Sequence, residues 1–174
     1  VSLLLTQTAL DSKQARRQTQ ALLRKDPGSP TLSLFREVFS SGDEQTDWQE
    51  VESHLRGLGR NLLVSAVFSN WAKNQLQFDA RKAVLSLQRA VAFDPDNVQA
   101  LYLYGALLVD MGKLEGLRYY VRAVDLDQQY DRFKVLLSGL GRKHRLGEAI
   151  DYVSRLDQTL AATRFVELAR QASN

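Results

Sequence analysis

A triplet of small or apolar residues, spaced i, i+4, i+7, returns along this chain at an almost constant step. Ala83, Leu87 and Ala90 come back as Gly116, Tyr120 and Ala123, and again as Ala149, Val153 and Leu156, each time 33 residues further on. Upstream the same spacing falls on Val51, Leu55 and Leu58 at a step of 32, and on Ala15, Thr19 and Leu22 at a step of 36. The internal spacing is one face of an α-helix, and a period in the thirties is that of stacked helix–turn–helix units. One such hairpin cannot bury its apolar face alone, so the period commits the chain to an array of neighbours. Length then counts repeats, and about five fit in 174 residues.

Composition agrees with a folded array. Apolar residues make up 44% and charged residues 25% of the chain, ordinary values for a packed domain. The net charge of +3 is the small surplus of 23 basic over 20 acidic residues, so the pI near 9.3 does not describe a strongly basic protein. Nucleic-acid binding needs Lys and Arg gathered on one face, and the densest cluster is Arg142, Lys143, His144 and Arg145. Its two readings are a solvated turn and an anion or phosphate contact. The absence of cysteine removes disulfides, thiolate zinc sites and cysteine catalysis, and fits a reducing or an oxidising compartment, so cytoplasm and periplasm both stay open. The opening Val-Ser-Leu-Leu-Leu run is far short of the roughly 20 apolar residues of a membrane helix and lacks the basic start of a signal peptide. Its leucines are expected to belong to a truncated first helix, and the missing initiator Met is expected of a piece of a longer protein.

Helices are predicted over 15–25, entered from Asp11 or Ser12 and stopped by Asp26-Pro27-Gly28-Ser29-Pro30, and over 32–39, closed by Ser40-Ser41-Gly42-Asp43. Asp47 is placed to cap a helix whose buried stripe is Trp48, Val51, Leu55 and Leu58. A long helix follows over 61–76 with Val64, Val67, Phe68 and Trp71 in register, and its mate spans 80–93. Phe93-Asp94-Pro95-Asp96-Asn97 breaks and recaps the chain. Pairs over 98–111 and 114–126, then 130–143 and 146–156, precede a last helix over 159–171. Gly112 suits the left-handed residue of a C-cap. No segment alternates as a strand does, so the fold class is all-α.

The stretch from Ala100 to Gln128 resembles a tetratricopeptide repeat. Tyr104-Gly105 stands where that family has a large residue followed by a small one, Gly112 lies in the turn, and Gly116, Tyr120 and Ala123 occupy the small–large–small sites of the second helix. Ala83, Leu87, Ala90 and Asp94-Pro95 match the second half of the unit before. Leu136, Leu140, Leu146, Ala149, Val153 and Leu156 match the unit after. The resemblance covers about residues 80–156 and fades upstream. Two departures stand out: the turn between Gly112 and Gly116 is one residue short, and Leu137 takes a usually small site. The resemblance implies a right-handed superhelical solenoid of about five units, near 1–28, 29–60, 61–96, 97–128 and 129–158, with a capping helix over 159–172 built on Phe165 and Leu168. It also implies one repeat domain across residues 1–174.

Catalytic constellations are missing: there are two histidines, His54 and His144, no cysteine, no Gly-rich phosphate loop and no tied carboxylate pair. His54 reads as a surface or half-buried residue. Asp94, Asp96 and Asp127 stand at helix ends, where carboxylates cap backbone amides rather than hold a cation. Trp48 and Trp71 read as packed residues, Tyr120 as core and Tyr119 as closer to the surface. The chain is therefore expected to be a non-catalytic protein, without cofactor or metal, that binds another protein. The family resemblance implies that the first helix of each unit lines a concave groove for a peptide or helix of the partner. Carried onto this sequence, that gives Ser65, Ser69 and Lys73, then Gln99, Tyr102, Ala106, Val109 and Asp110, then Asp131, Lys134, Ser138 and Arg142. Tyr102, Lys73, Lys134 and Arg142 together suit a peptide with apolar and acidic groups. No asparagine falls among these positions, which disfavours the family's carboxylate-gripping groove. The alternatives are a helical-repeat nucleic-acid-binding module, which the charge disfavours, and a homodimerisation module of a multidomain signalling or secretion protein.

Overall fold

The computed structural model describes residues 12–29, 32–33, 36, 48–57 and 59–173, and among these every regular element is helical. The helices are α1 (Ser12–Lys25), α2 (Trp48–Gly57), α3 (Asn61–Gln75), α4 (Ala80–Phe93), α5 (Val98–Asp110), α6 (Gly116–Asp127), α7 (Arg132–Arg142), α8 (Leu146–Val153) and α9 (Leu160–Ser173). Most of the expected helix over 32–39, its closing turn, the Asp47 cap and Leu58 lie outside the described residues, as do the side chains of Ala15, Trp48, Val51 and His54. The chain divides into two compact units at Pro95/Asp96, inside the segment whose proline and carboxylates interrupt the helical pattern. Among the described residues no helix is long and apolar enough to cross a membrane.

In the first unit α3 packs against α4, and α2 rests on α3. Val64, Phe68 and Ala72 of α3 and Ala83, Leu87 and Ala90 of the triplet on α4 are all fully buried. The Ser65 hydroxyl donates to the Ala90 carbonyl at 2.7 Å, so a polar side chain enters the core by satisfying a backbone group of the partner helix. Asp79 caps α4, its carboxylate accepting from the amides of Arg81 and Lys82. Arg56 of α2 lies over the Phe93 ring at 4.7 Å and donates to the Ala92 carbonyl.

In the second unit α5 and α6 cross so closely that backbone meets backbone. A Cβ on Gly116 would stand 2.4 Å from the Gly105 carbonyl oxygen, and one on Gly105 would stand 2.7 Å from the Gly116 oxygen. These two glycines are obligatory for that approach. Asn97 caps α5, accepting from the Ala100 amide, while Asp96 pairs with Arg122. Four aromatic rings, one from each of α5, α6, α7 and α9, then run in contact through the core: Tyr102 to Tyr120 at 5.0 Å, Tyr120 to Phe133 at 6.2 Å, and Phe133 to Phe165 at 5.3 Å. Helix α9 packs on α6, α7 and α8, with Ala161, Phe165 and Ala169 fully buried.

The turns after α5 and α7 share one geometry. Gly112 (φ +84°) and His144 (φ +54°) are left-handed, and each follows the same pair of bonds. Lys113 N–H donates to Leu108 and Gly112 N–H to Val109, just as Arg145 N–H donates to Leu140 and His144 N–H to Gly141. This is the Schellman arrangement, which satisfies the last carbonyls of a helix. The left-handed residues stand 32 apart whereas Gly116 and Ala149 stand 33 apart, so the first turn is the shorter by one residue. Two residues of the second turn reach back to the first. Lys143 Nζ donates to the Asp110 carbonyl at 3.2 Å and pairs with the Asp110 carboxylate, and Arg145 Nη1 donates to the Gly112 carbonyl at 2.8 Å.

Candidate functional site

Helix α7 is amphipathic: Phe133, Leu136, Leu137 and Leu140 are buried, while Lys134, Ser138 and Arg142 lie on its exposed side. The i, i+4, i+8 spacing of those three lines them up along the helix. Helix α9 runs beside α7, and between them opens a cleft of about 350 Å³ lined by Lys134, Leu137, Ser138, Gly141, Arg142, Leu146, Leu168 and Ala172. Lys134 and Arg142, eight residues apart, are separated by about 12 Å of helix rise. Between them the lining is apolar, from Leu137, Leu146, Leu168 and Ala172, with Ser138 as its hydroxyl.

The cations are held only lightly. Lys134 Nζ meets the Asp131 carboxylate at 2.7 Å, and both side chains are open to solvent. The hydrogen bond from Lys134, followed by its charge, holds the Asp131 carboxyl below its ordinary value. Arg142 Nη1 donates to the Ser138 hydroxyl at 3.3 Å. Exposed pairs of this kind exchange readily for another partner of the same sign.

The other expected groove residues are placed differently. Ser65, Ser69, Tyr102 and Val109 are buried within their own units. Tyr102 donates from its hydroxyl to Asp127 Oδ1 at 2.7 Å, under the Arg132 guanidinium at 4.3 Å. Burial first, and then that hydrogen bond, raise its phenol well above the ordinary value. Ser69 Oγ is buried with no hydrogen-bond partner. Lys73 and Gln99 are exposed, Ala106 is half-buried, and Asp110 is engaged by Lys143. The structure thus brings Lys134, Ser138 and Arg142 together, with Asp131 alongside. Leu137, Gly141, Leu146, Leu168 and Ala172 complete the lining and were not among the expected groove positions. Leu168, expected as part of the cap, is half-buried, whereas Phe165 fills the core. The signal for this wall was the small-and-apolar spacing Leu168, Ala172 on the last helix, which reads equally well as packing.

The basic turn is largely occupied by its own chain. Lys143 is tied to Asp110, and Arg145 to Gly112 and Glu148. Among the described residues no group of three or more His, Asp or Glu side chains stands together as a metal-ligand set. No protein-family model matches the chain, and no curated protein sequence matches it.

Proposed function

We propose that this chain is a tetratricopeptide-like solenoid that acts as a non-catalytic interaction scaffold, holding a peptide or helix of another protein within a larger assembly. The single observation that carries the reading is the cleft of about 350 Å³ between α7 and α9, whose apolar lining is accompanied along α7 by Lys134 and Arg142. The 33-residue recurrence supports the repeat architecture: Ala83, Leu87, Ala90, Ala123, Ala149 and Val153 are all fully buried, as helix-to-helix contacts of a repeating unit require. Two departures are Leu22, which is 37% exposed in the stretch where the repeat pattern is weakest, and Leu156, which is half-buried and lies beyond α8, a helix that ends at Val153 rather than at the expected 156.

The test is a comparison of partner capture by the wild-type chain and by the Lys134→Glu, Arg142→Glu double variant, both bound to resin at equal density. Proteins retained by the first and lost by the second, with unchanged helical circular dichroism, support the cleft as the binding surface. Identical retention by the two removes it.

A further inference from the structure

The chemistry of the α7–α9 cleft specifies its guest more narrowly than a protein segment in general. Resting on the scaffold reading above, we infer that the cleft takes an acidic amphipathic helix carrying two carboxylates about two turns apart and large apolar side chains on the turn between them.

Three features of the cleft lead there. The first is the separation of its cations. Lys134 and Arg142 spring from α7 at points about 12 Å apart in rise, with Lys134 Nζ lying toward Asp131 and Arg142 Nη1 toward Ser138, so two carboxylates answer them better than one. Two carboxylates seven or eight residues apart on a helix match the spacing. The second is the lining between them: Leu137, Leu146, Leu168 and Ala172 present apolar surface that a solvated acidic loop would leave wet, and that a leucine-sized side chain covers. The third is the backbone. Both long walls are α-helices whose N–H and C=O groups are bonded within the helix except in the last turn of each, and Ser138 is the one hydroxyl in the lining. An extended guest would lay down its own backbone groups with almost nothing to bond, whereas a helix arrives with them satisfied.

Gly141 supplies an independent handle. A Cβ there meets only Leu146 Cδ1, at 3.6 Å, an ordinary contact, and its φ is not positive. Gly141→Leu therefore adds a side chain to the cleft, leaves both cations in place and raises the helix propensity of α7.

The probe is an end-blocked, alanine-rich helical peptide with glutamates two turns apart and leucines on the intervening turn, followed by fluorescence anisotropy against the whole chain. Controls replace its glutamates by lysines, its leucines by alanines, or its central alanines by prolines. The acidic helix is expected to bind, to weaken about tenfold or more on Lys134→Glu plus Arg142→Glu and on Gly141→Leu, and to lose affinity as salt shortens the reach of the charges. The charge-reversed chain should take the lysine peptide in its place. Equal binding of the proline peptide, or indifference to Gly141→Leu, overturns the helical apolar guest. Preference for the lysine peptide by the wild-type chain overturns the acidic one, and in both cases the scaffold reading survives. Failure of every peptide to bind overturns the acidic helical guest by itself, and unchanged partner capture by the double variant overturns the scaffold reading as well.

Discussion

Gly105 and Gly116 show how much can depend on a single missing carbon. Each occupies the space in which the other's Cβ would fall, at 2.7 and 2.4 Å from backbone oxygen. Gly105→Ala should therefore cost about 1–3 kcal/mol through forced separation of α5 and α6. Gly139→Ala, on a helix face where a Cβ meets nothing, should instead stabilise by about 0.5–1 kcal/mol. Opposite shifts in urea midpoint would establish the crossing, and a shift of the same sign would contradict it. Tyr102 makes the second residue-scale case. Its phenol is raised from an ordinary value near 10, by burial and then by Asp127, so the fold favours the neutral form. The stabilisation is complete below about pH 10 and is lost as the pH climbs past it, where the unfolded chain ionises more readily. Tyr104 and Tyr120 shift the same way, with burial as the first cause. Tyr102→Phe should thus reduce, without abolishing, the alkaline fall in melting temperature.

At the scale of elements, legibility followed amphipathicity. Helix α7 buries one side and exposes the other, so its outward residues Lys134, Ser138 and Arg142 could be chosen from the sequence. Helix α5 buries Ala100, Leu101, Tyr102, Tyr104, Gly105, Leu108 and Val109, which leaves no broad polar face to mark an inner side. Tyr102 and Val109 consequently passed for groove residues. Helix α3 misleads in another way, since its buried Ser65 and Ser69 look polar and outward in sequence. The recurring triplet marks the buried face of α4, α6 and α8 but says nothing of how α3, α5 and α7 are turned. The second wall of the cleft was hidden for a simpler reason: Leu168 and Ala172 become a surface only once α9 is laid beside α7. That packing rests on Phe165, fully buried against Phe133 at 5.3 Å. Phe165→Ala should cost about 3–5 kcal/mol and should increase hydrogen exchange along α9 ahead of α5 and α6. Uniform exchange across the unit would deny α9 that anchor.

For the whole molecule, the helical class and a helix break at Pro95 were readable because both arise from local chemistry, apolar periodicity in one case and a proline between carboxylates in the other. The sequence pattern nevertheless suggested one repeat domain and did not mark Pro95 as the division between two compact units. The second unit has its own continuous core, from Tyr102 through Tyr120 and Phe133 to Phe165. Residues 96–174 alone should accordingly give a helical spectrum and a cooperative melt, and a broad, featureless transition would show that they rely on the rest of the chain. The contact between Gly105 and Gly116 has a mechanical corollary. Where Gly105 and Gly116 meet, no side chain separates the two backbones, so α5 and α6 cannot shift against each other there without parting, while α7 and α8 pack on each other far less closely and are joined mainly through α9. A guest of the proposed cleft would bear on the end of the unit whose helices are held together through α9, with the close α5–α6 crossing behind it.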